Sequence, residues 1–168
     1  MSREREFAVR ICEERFTFAS SHFLIFDGGE REPLHGHNYR LSIKGSGPEL
    51  SSGMLFDFTK LTPIMDRICH ELDHLVLLPA NNSYMTINDA ETNHRLELPK
   101  GEFFSIPKRD AVILPISNTS AELLAEYIAQ RICRELDSKF GFQFGRMEVE
   151  VEESSGNSAF FVLNMGDC

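Results

Sequence analysis

Tryptophan is absent from this 168-residue sequence, and so is any apolar run of the roughly 18 residues that a membrane-spanning helix requires. The sequence therefore predicts no membrane partner. Basic residues are also scarce, since 17 Lys and Arg stand against 26 Asp and Glu, giving a formal charge of -9. A nucleic acid is bound by clustered basic side chains, so we expect no nucleic-acid partner.

Cysteine is equally limited, and its four positions show no C-x-x-C spacing, which argues against a thiolate zinc site. The N-terminal residues "MSREREFAV" are charged and lack a hydrophobic signal core, which predicts a cytoplasmic protein. The apolar content of 42% and the charged content of 26% are ordinary for a globular protein. The length suits a single domain spanning residues 1–168.

Alternating apolar residues predict four strands. The alternation from Phe7 to Phe18 changes phase near Glu13 and Glu14, which indicates one strand with a bulge or bend. A second strand follows at "HNYRLSIK", where every other side chain faces the same side, and we expect the two strands to form an antiparallel pair. Two closing strands, "RMEVEVEE" and "AFFVLNM", are joined by "SSGNS".

Helical periodicity predicts two helices, at about residues 60–72 and about residues 120–140, and Thr119 and Glu122 have capping-box spacing at the start of the second. Residues 81–115 between the helices are polar and broken by three prolines, and the pieces "HRLEL" and "AVILP" could pair as a small hairpin. We interpret this segment as an insertion rather than a second domain. The element order is then β-β-α-α-β-β, an α+β arrangement.

Two histidines lie two residues apart at the start of the second predicted strand. Residues i and i+2 of a strand share a face, so His35 and His37 project together, and imidazoles on an apolar face are unfavourable unless something satisfies them. His22, in phase with Phe16 and Phe18 at the end of the first strand, can complete a three-nitrogen set. Three His ligands with no fourth protein ligand are typical of catalytic zinc. The alternative is hydrogen-bonded core or turn histidines.

Glu153 continues the phase of Met147, Val149 and Val151, so it falls on the core-facing side at a strand end. An unpaired carboxylate is unfavourable at such a position, which indicates that it has a partner. Asp73 and His74 follow the first predicted helix, where a histidine is favoured by the helix dipole in any case.

Five stretches of the sequence resemble one family, in the family's order and nearly end to end. They are "FTFASSHF", "LHGHNYRLSIKG", "GMLFDFTKL", "ELDHLVL" and "VEVEESSGNSAFF". The family is that of the 6-pyruvoyl-tetrahydropterin and 6-carboxy-tetrahydropterin synthases. The resemblance implies the tunnelling fold, a four-stranded antiparallel sheet with two helices on one face. It also implies trimeric barrels stacked as a homohexamer, a dimer of trimers.

The resemblance assigns a role to each candidate side chain, with a reduced pterin as the substrate and Zn²⁺ as the cofactor. The zinc ligands would be His22, His35 and His37. The carboxylate of Asp73 would orient the imidazole of His74, which relays a proton. The pterin N–H groups would be bound by Glu153, and the pterin pocket would also be lined by Ser120 and Glu122, beside an Ala121 that lacks the family's usual hydroxyl.

One position departs from the usual family pattern. Most members carry a reactive Cys four residues before the first His of H-G-H, where this chain has Arg31. Glu32 follows it, and "REPLHGHNY" resembles a variant group with Glu at this position. A carboxylate, with a reference pKa near 4.3, is already ionised at neutral pH, whereas a thiol near 8.5 needs activation. Without the resemblance, Glu32 reads as a solvated loop carboxylate.

The variant group implies a lyase in folate-type pterin biosynthesis. It cleaves the side chain of 7,8-dihydroneopterin triphosphate to give 6-hydroxymethyl-7,8-dihydropterin, and Glu32 would be the catalytic base. One alternative is a 6-pyruvoyl- or 6-carboxy-tetrahydropterin synthase that works without the usual Cys. Another is a non-catalytic pterin-binding oligomer, although binding alone needs neither a base nor a proton relay.

Overall fold

A computed structural model describes residues 5–167 of the chain. The predicted first strand is present as two, β1 (Phe7–Ile11) and β2 (Thr17–His22), separated by a turn in which Phe16 N donates to Glu13 O at 3.1 Å. Both pair antiparallel with the long strand β3 (His35–Gly47). The predicted change of phase is therefore confirmed as a break between two strands that share one partner.

The main sheet has seven strands rather than the four that the sequence predicted. Two of the additions flank the predicted antiparallel part: β4 (Leu75–Pro79) pairs parallel with β2, and β8 (Ala111–Leu114) pairs parallel with β4. Parallel pairing is possible because a helix returns the chain to the same end of the sheet before β4 begins. The short apolar runs "LVLLP" and "AVIL" form these strands, and such runs carry no alternation to mark them.

The insertion also folds differently from the predicted hairpin. It contains β5 (Thr86–Asp89), β6 (Asn93–Glu97) and β7 (Phe103–Pro107), which form a separate three-stranded antiparallel sheet in the order β5-β6-β7. The "HRLEL" stretch pairs with β5 and β7, whereas "AVIL" leaves for the main sheet as β8. The expected pairing of these two pieces is therefore wrong.

The two predicted helices are confirmed. Helix α1 (Phe58–Leu72) begins at Asp57, whose side chain accepts a hydrogen bond from Thr59 N, and α2 (Ala121–Phe140) begins at Ser120. Thr119 is not the cap, because its hydroxyl donates to Phe23 O at 3.0 Å instead. In the described part of the chain, no helix is long and apolar enough to cross a membrane.

The helices cover one face of the antiparallel strands, which end with β9 (Arg146–Ser154) and β10 (Asn157–Asn164). Side chains that alternate along these strands form a single apolar core with the helices, which supports the α+β class. A second cluster joins the insertion to the segment after β2 and to β4. It consists of Phe23, Ile25, Leu78, Met85, Leu96, Leu98 and Ile106.

Candidate metal centre and active site

Three histidines meet where β2 ends and β3 begins. The antiparallel register places His22 opposite His35 and Ser20 opposite His37, so the three imidazoles lie on one face of the sheet. One ring nitrogen from each lies within 4.8 Å of the other two, close enough to hold a metal ion. The pairing register of β2 and β3 therefore brings the three predicted metal ligands together.

Backbone carbonyls determine which nitrogen of two of these rings carries the proton. His22 Nδ1 lies 2.9 Å from Thr119 O, and His35 Nδ1 lies 2.9 Å from Pro33 O. A carbonyl can only accept, so both Nδ1 atoms donate, and in the neutral form of each ring the lone pair lies on Nε2. Hydrogen bonds of this kind orient metal-bound imidazoles.

The buried His22 tests whether these residues fit a metal ion. Burial lowers the pKa of His22, so its ring is neutral, and its buried Nε2 has no hydrogen-bond partner. Glu153 Oε1 lies 3.4 Å from His22 Nε2 and 3.6 Å from His37 Nε2. A lone pair that faces a carboxylate oxygen is unfavourable unless a cation or proton lies between them. Imidazole nitrogens with a nearby carboxylate are donors suited to a divalent transition metal.

Tyr39 links the histidines to two carboxylates. Its ring is stacked on Phe18, and its hydroxyl donates to Glu153 Oε1 at 3.4 Å. Burial raises the pKa of Tyr39 well above its usual value, and the charges of Glu153 and Glu32 raise it further. Tyr39 therefore stays protonated as a donor. The sequence analysis did not single out Tyr39, although its place two residues after His37 in the same strand put it on the same face.

Glu32 is held at the end of an ordered loop between β2 and β3. Its backbone N–H donates to Leu24 O at 3.0 Å, and its carboxylate Oε2 accepts from Leu24 N at 3.3 Å. It is also near enough to Tyr39 to raise that residue's pKa. The structure therefore holds Glu32 against the backbone on the opposite side of the loop, with its charge acting on Tyr39.

The predicted pterin-binding residues lie together in one cavity of about 420 Å³. Glu153, Ser120 and Glu122 contribute to its wall, and so does Leu24, the residue that binds Glu32. Ser120 also serves as the helix cap, accepting from Leu123 N at 3.5 Å. The cavity lies at the N-terminus of α2, where the exposed backbone N–H groups favour polar ligands.

Asp73 and His74 lie elsewhere on the sheet. Asp73 Oδ1 accepts from Ala19 N at 2.7 Å, Oδ2 contacts His74 Nδ1 at 2.8 Å, and His74 N donates to Ala19 O at 2.7 Å. Burial would raise the pKa of Asp73, but the hydrogen bonds from Ala19 and His74 outweigh it and the pKa is lowered. His74 adopts a left-handed φ of 60°, which indicates local strain at this position.

The exposed side chain of His74 does not lie in the cavity of the predicted pterin-binding residues. It lines a cavity of about 430 Å³ with Ser21 and Asn38, whose side chains alternate with those of His22 and His37 and so project from the opposite face of the sheet. His37 contributes to this cavity as well. The carboxylate–imidazole pair is formed as predicted, but within one chain His74 lines a different cavity from Glu153, Ser120 and Glu122.

Known proteins resemble this chain in sequence and in fold. A Haemophilus influenzae 6-carboxy-5,6,7,8-tetrahydropterin synthase is 27% identical over 124 residues, covering 71% of this chain and 79% of that protein. A Methanocaldococcus jannaschii protein provisionally named as the same enzyme is 31% identical over 147 residues, covering 86% and 88%. The crystal structure of 6-pyruvoyl tetrahydropterin synthase from Plasmodium vivax matches with a TM-score of 0.89 and 31% identity, covering 96% and 99%.

A family model agrees with these relatives over most of the chain. The model described as 6-pyruvoyl tetrahydropterin synthase matches residues 11–163, a span that includes the histidine group, Glu32 and Glu153. Members of this family are lyase-type enzymes acting on pterins. The chain belongs to the 6-pyruvoyl tetrahydropterin synthase family.

Proposed function

We propose that this protein is a zinc-dependent lyase that cleaves the side chain of 7,8-dihydroneopterin triphosphate to 6-hydroxymethyl-7,8-dihydropterin. The observation that carries this proposal is the position of Glu32. A carboxylate, and no thiol, is tied to Leu24 at the wall of the cavity that contains Glu153, and it acts electrostatically on Tyr39 beside the histidines. An ionised carboxylate at this point is suited to accept a proton from a side-chain hydroxyl.

Two relatives support a carboxylate-driven cleavage. Solved structures of the Plasmodium vivax synthase include variants in which a catalytic glutamate is replaced by alanine or by cysteine, each 31% identical to this chain with a TM-score of 0.89. A Pyrococcus furiosus dihydroneopterin monophosphate aldolase is 37% identical over 60 residues, covering 36% of this chain and 50% of that protein. An aldolase breaks a carbon–carbon bond, which is the step proposed here.

The zinc ion would be held by His22, His35 and His37, whose fit to a divalent metal rests on the two Nδ1–carbonyl hydrogen bonds and the unsatisfied His22 Nε2. When bound there, zinc supplies a Lewis acid that polarises hydroxyl oxygens of the substrate side chain. Glu153 would accept two N–H hydrogen bonds from the pterin ring, and the paired charge-assisted bonds fix the ring's orientation.

Glu32 would carry out the proton transfer that begins cleavage. Its carboxylate accepts the proton of the hydroxyl on the second side-chain carbon, and that carbon becomes an aldehyde as its bond to the first carbon breaks. The electron pair of the broken bond passes into the pterin ring system, and a proton then returns to the first carbon to leave a hydroxymethyl group. His74 of a neighbouring copy, oriented by Asp73, is the group that we expect to relay this second proton, because within one chain His74 lines a different cavity.

A second function is favoured by the names of the curated relatives. The Haemophilus influenzae and Methanocaldococcus jannaschii proteins are described as 6-carboxy-tetrahydropterin synthases, and the family model is described as the 6-pyruvoyl enzyme. Either activity would make the Asp73–His74 pair the principal proton-transfer machinery and Glu32 an ordinary loop carboxylate. The turnover rate and the pterin product of Glu32 variants distinguish these functions.

Replacement of Glu32 tests the proposal. We expect Glu32→Ala to bind zinc and pterin normally while turnover of 7,8-dihydroneopterin triphosphate falls by about 10²- to 10⁴-fold, the usual contribution of a positioned acid–base group. Glu32→Gln should behave alike, because an amide keeps the volume but cannot accept the proton. Turnover and pterin products are measured by liquid chromatography, with Glu30→Ala in the same loop as the control. Wild-type rate and product in Glu32→Ala would overturn the proposal.

A further inference from the structure

The insertion between the helices makes direct contact with the loop that carries Glu32. Arg31 Nε and Nη2 lie 2.8 and 2.7 Å from the Glu102 carboxylate, just before β7 begins. The same guanidinium lies 5.0 Å from the centre of the Phe104 ring. Two side chains of the insertion thus fix the residue immediately before Glu32, one by charge and one by stacking.

A second contact fixes the turn of the same loop. Gly28 and Gly29 have φ values of 89° and 81°, which side-chain-bearing residues rarely adopt, and the turn is closed by Gly29 N donating to Phe26 O at 2.9 Å. Gly28 N donates to the hydroxyl of Tyr84 at 3.2 Å. A Cβ at Gly29 would lie 3.1 Å from the Pro99 ring, so the turn packs closely on the insertion.

The contact with Arg31 reaches Glu32 through the backbone. Arg31 Nη1 donates to Glu32 O at 2.8 Å, while Glu32 N donates to Leu24 O across the loop. Arg31 therefore uses its donors on Glu102 and on Glu32, both within the protein. Its neighbours in the adjoining cavity of about 380 Å³ include two carboxylates, Glu30 and Glu102, as well as Lys100. This balance of charge makes the cavity a poor site for an anionic ligand and leaves Arg31 a positioning residue.

We propose that the insertion is a positioning device for Glu32, with Glu102 and Phe104 acting through Arg31 and Tyr84 acting through the glycine turn. This inference rests on the proposed role of Glu32 as the base. A base must lie within hydrogen-bond reach of the proton that it removes, and a misplacement of about 1 Å can lower the rate by about 10²-fold. The insertion would keep the Glu32 carboxylate at that distance.

The Arg31–Glu102 pair is suited to positioning rather than to overall stability. The Glu102 side chain is 51% exposed, and ion pairs of such exposure contribute little to the free energy of unfolding. Loss of the pair should therefore lower the midpoint of thermal unfolding by less than about 4 °C. A large loss of activity without a large loss of stability would be the signature of a positioning role.

Replacement of Glu102 tests the inference, with Glu97 of β6 as the matched control, because it is a similarly exposed carboxylate of the insertion whose ion pair in the described residues is with Arg95. We expect Glu102→Ala to lower kcat about 10- to 100-fold with little change in KM or zinc content. Glu102→Gln keeps an acceptor for Arg31 and should recover part of the rate. Glu97→Ala should retain the wild-type kcat.

Amide hydrogen exchange gives a readout that does not depend on catalysis. The amides of Phe26 and Glu32 donate within the loop, to Glu30 O at 2.7 Å and to Leu24 O at 3.0 Å. Their exchange should become faster in Glu102→Ala and not in Glu97→Ala, because the loop then opens more often. Unchanged exchange at both amides would overturn the inference.

A double variant separates this inference from the proposed function. If Glu102 acts through Glu32, then adding Glu102→Ala to Glu32→Ala should cause no further loss of kcat, whereas a general structural defect would lower it again. A slow Glu32→Ala together with a fully active Glu102→Ala would overturn the inference and leave the proposed function intact. A fully active Glu32→Ala would overturn both.

Discussion

Two histidines of the metal group are oriented by backbone carbonyls before any metal binds. Backbone carbonyls of Thr119 and Pro33 accept hydrogen bonds from Nδ1 of His22 and His35, which in the neutral rings leaves the lone pair on Nε2. Burial keeps His22 neutral, as a metal ligand must be. The nearby Glu153 carboxylate adds negative charge at the point where a cation would lie.

Removal of one imidazole should therefore remove the metal and the activity together. We expect His35→Ala to lose most of its bound zinc and its turnover, because two imidazoles alone do not form a stable structural or catalytic zinc site. Metal content is measured by atomic emission after dialysis, alongside turnover. Stoichiometric zinc in the His35→Ala, His37→Ala double variant would rule out this site.

Glu153→Gln is the matched control for the metal group. It lies against the same histidines, but its proposed partner is the pterin rather than zinc. Zinc content should stay unchanged, while pterin binding should weaken by about 1.5–3 kcal/mol, the usual value of a hydrogen bond to a charged group. An unaltered pterin affinity would mean that Glu153 has only a structural role.

Strand phase made part of this site predictable from sequence. His22, His35 and His37 could be placed on one face because side chains alternate along strands. The carbonyl partners and the position of Glu32 beside Leu24 could not be predicted, since they depend on contacts between residues distant in sequence or on loop conformation. The left-handed backbone conformation of His74 could not be predicted either, because nothing in its sequence neighbourhood marks it.

At the scale of elements, long periodic segments were predictable and short apolar ones were not. The boundaries of α1 and α2 agree with the sequence prediction to within about two residues, the usual uncertainty of helix ends. Strand β4 was missed and β8 was given the wrong partner, because runs of four or five apolar residues lack a period that distinguishes strand from helix. Their pairing depends on the tertiary path of α1 and of the insertion.

A cluster of three phenylalanine rings packs closely against one glycine of β3, Gly45. A Cβ at Gly45 would lie 2.5 Å from ring carbons of Phe144, which is itself held by Phe56 and Phe142. The ring cannot shift freely, so Gly45→Ala should lower the free energy of unfolding by about 1–3 kcal/mol. Urea unfolding followed by circular dichroism at a fixed subunit concentration measures this loss.

A double variant provides the control for overpacking. Phe144→Leu makes room beside Gly45, so the combination with Gly45→Ala should be less destabilising than the sum of the two single changes. Additive losses would show that the alanine is unfavourable for a reason other than contact with Phe144. The metal group should be unaffected in either variant, because Gly45 lies toward the far end of β3 from His35.

At the scale of the whole molecule, the face of the sheet opposite the helices is polar, and the edge of the sheet at β10 is unpaired in the described part of a single chain. It carries ion pairs such as Arg10–Glu150, whereas the edge strand β10 exposes Phe160 and Val162. An open strand edge with exposed apolar side chains favours association with another sheet, and ring closure would satisfy it. We propose that the protein forms a homohexamer in which His74 of one copy reaches the metal-binding face of the next.

Mixing two impaired variants tests this shared site. Oligomers reassembled from equal amounts of Glu32→Ala and His74→Ala chains should regain activity, with about a quarter of the sites intact, because one chain supplies Glu32 and its neighbour supplies His74. Mixing Glu32→Ala with Glu153→Gln should give no recovery, since Glu153 and Leu24, the residue that binds Glu32, line the same cavity within one chain. Sites confined to single chains would show no recovery in either mixture, and a monomer in sedimentation would exclude the assembly.

The most direct test of the proposed reaction is to follow the phosphates of 7,8-dihydroneopterin triphosphate by phosphorus NMR during turnover by the wild-type protein. Cleavage between the first and second side-chain carbons leaves the triphosphate esterified to a two-carbon aldehyde, formed in equal amount with 6-hydroxymethyl-7,8-dihydropterin. A pyruvoyl side chain carries no phosphate, so its formation must release inorganic triphosphate. We predict esterified triphosphate and a hydroxymethyl pterin; free triphosphate appearing in step with pterin conversion would contradict the assignment.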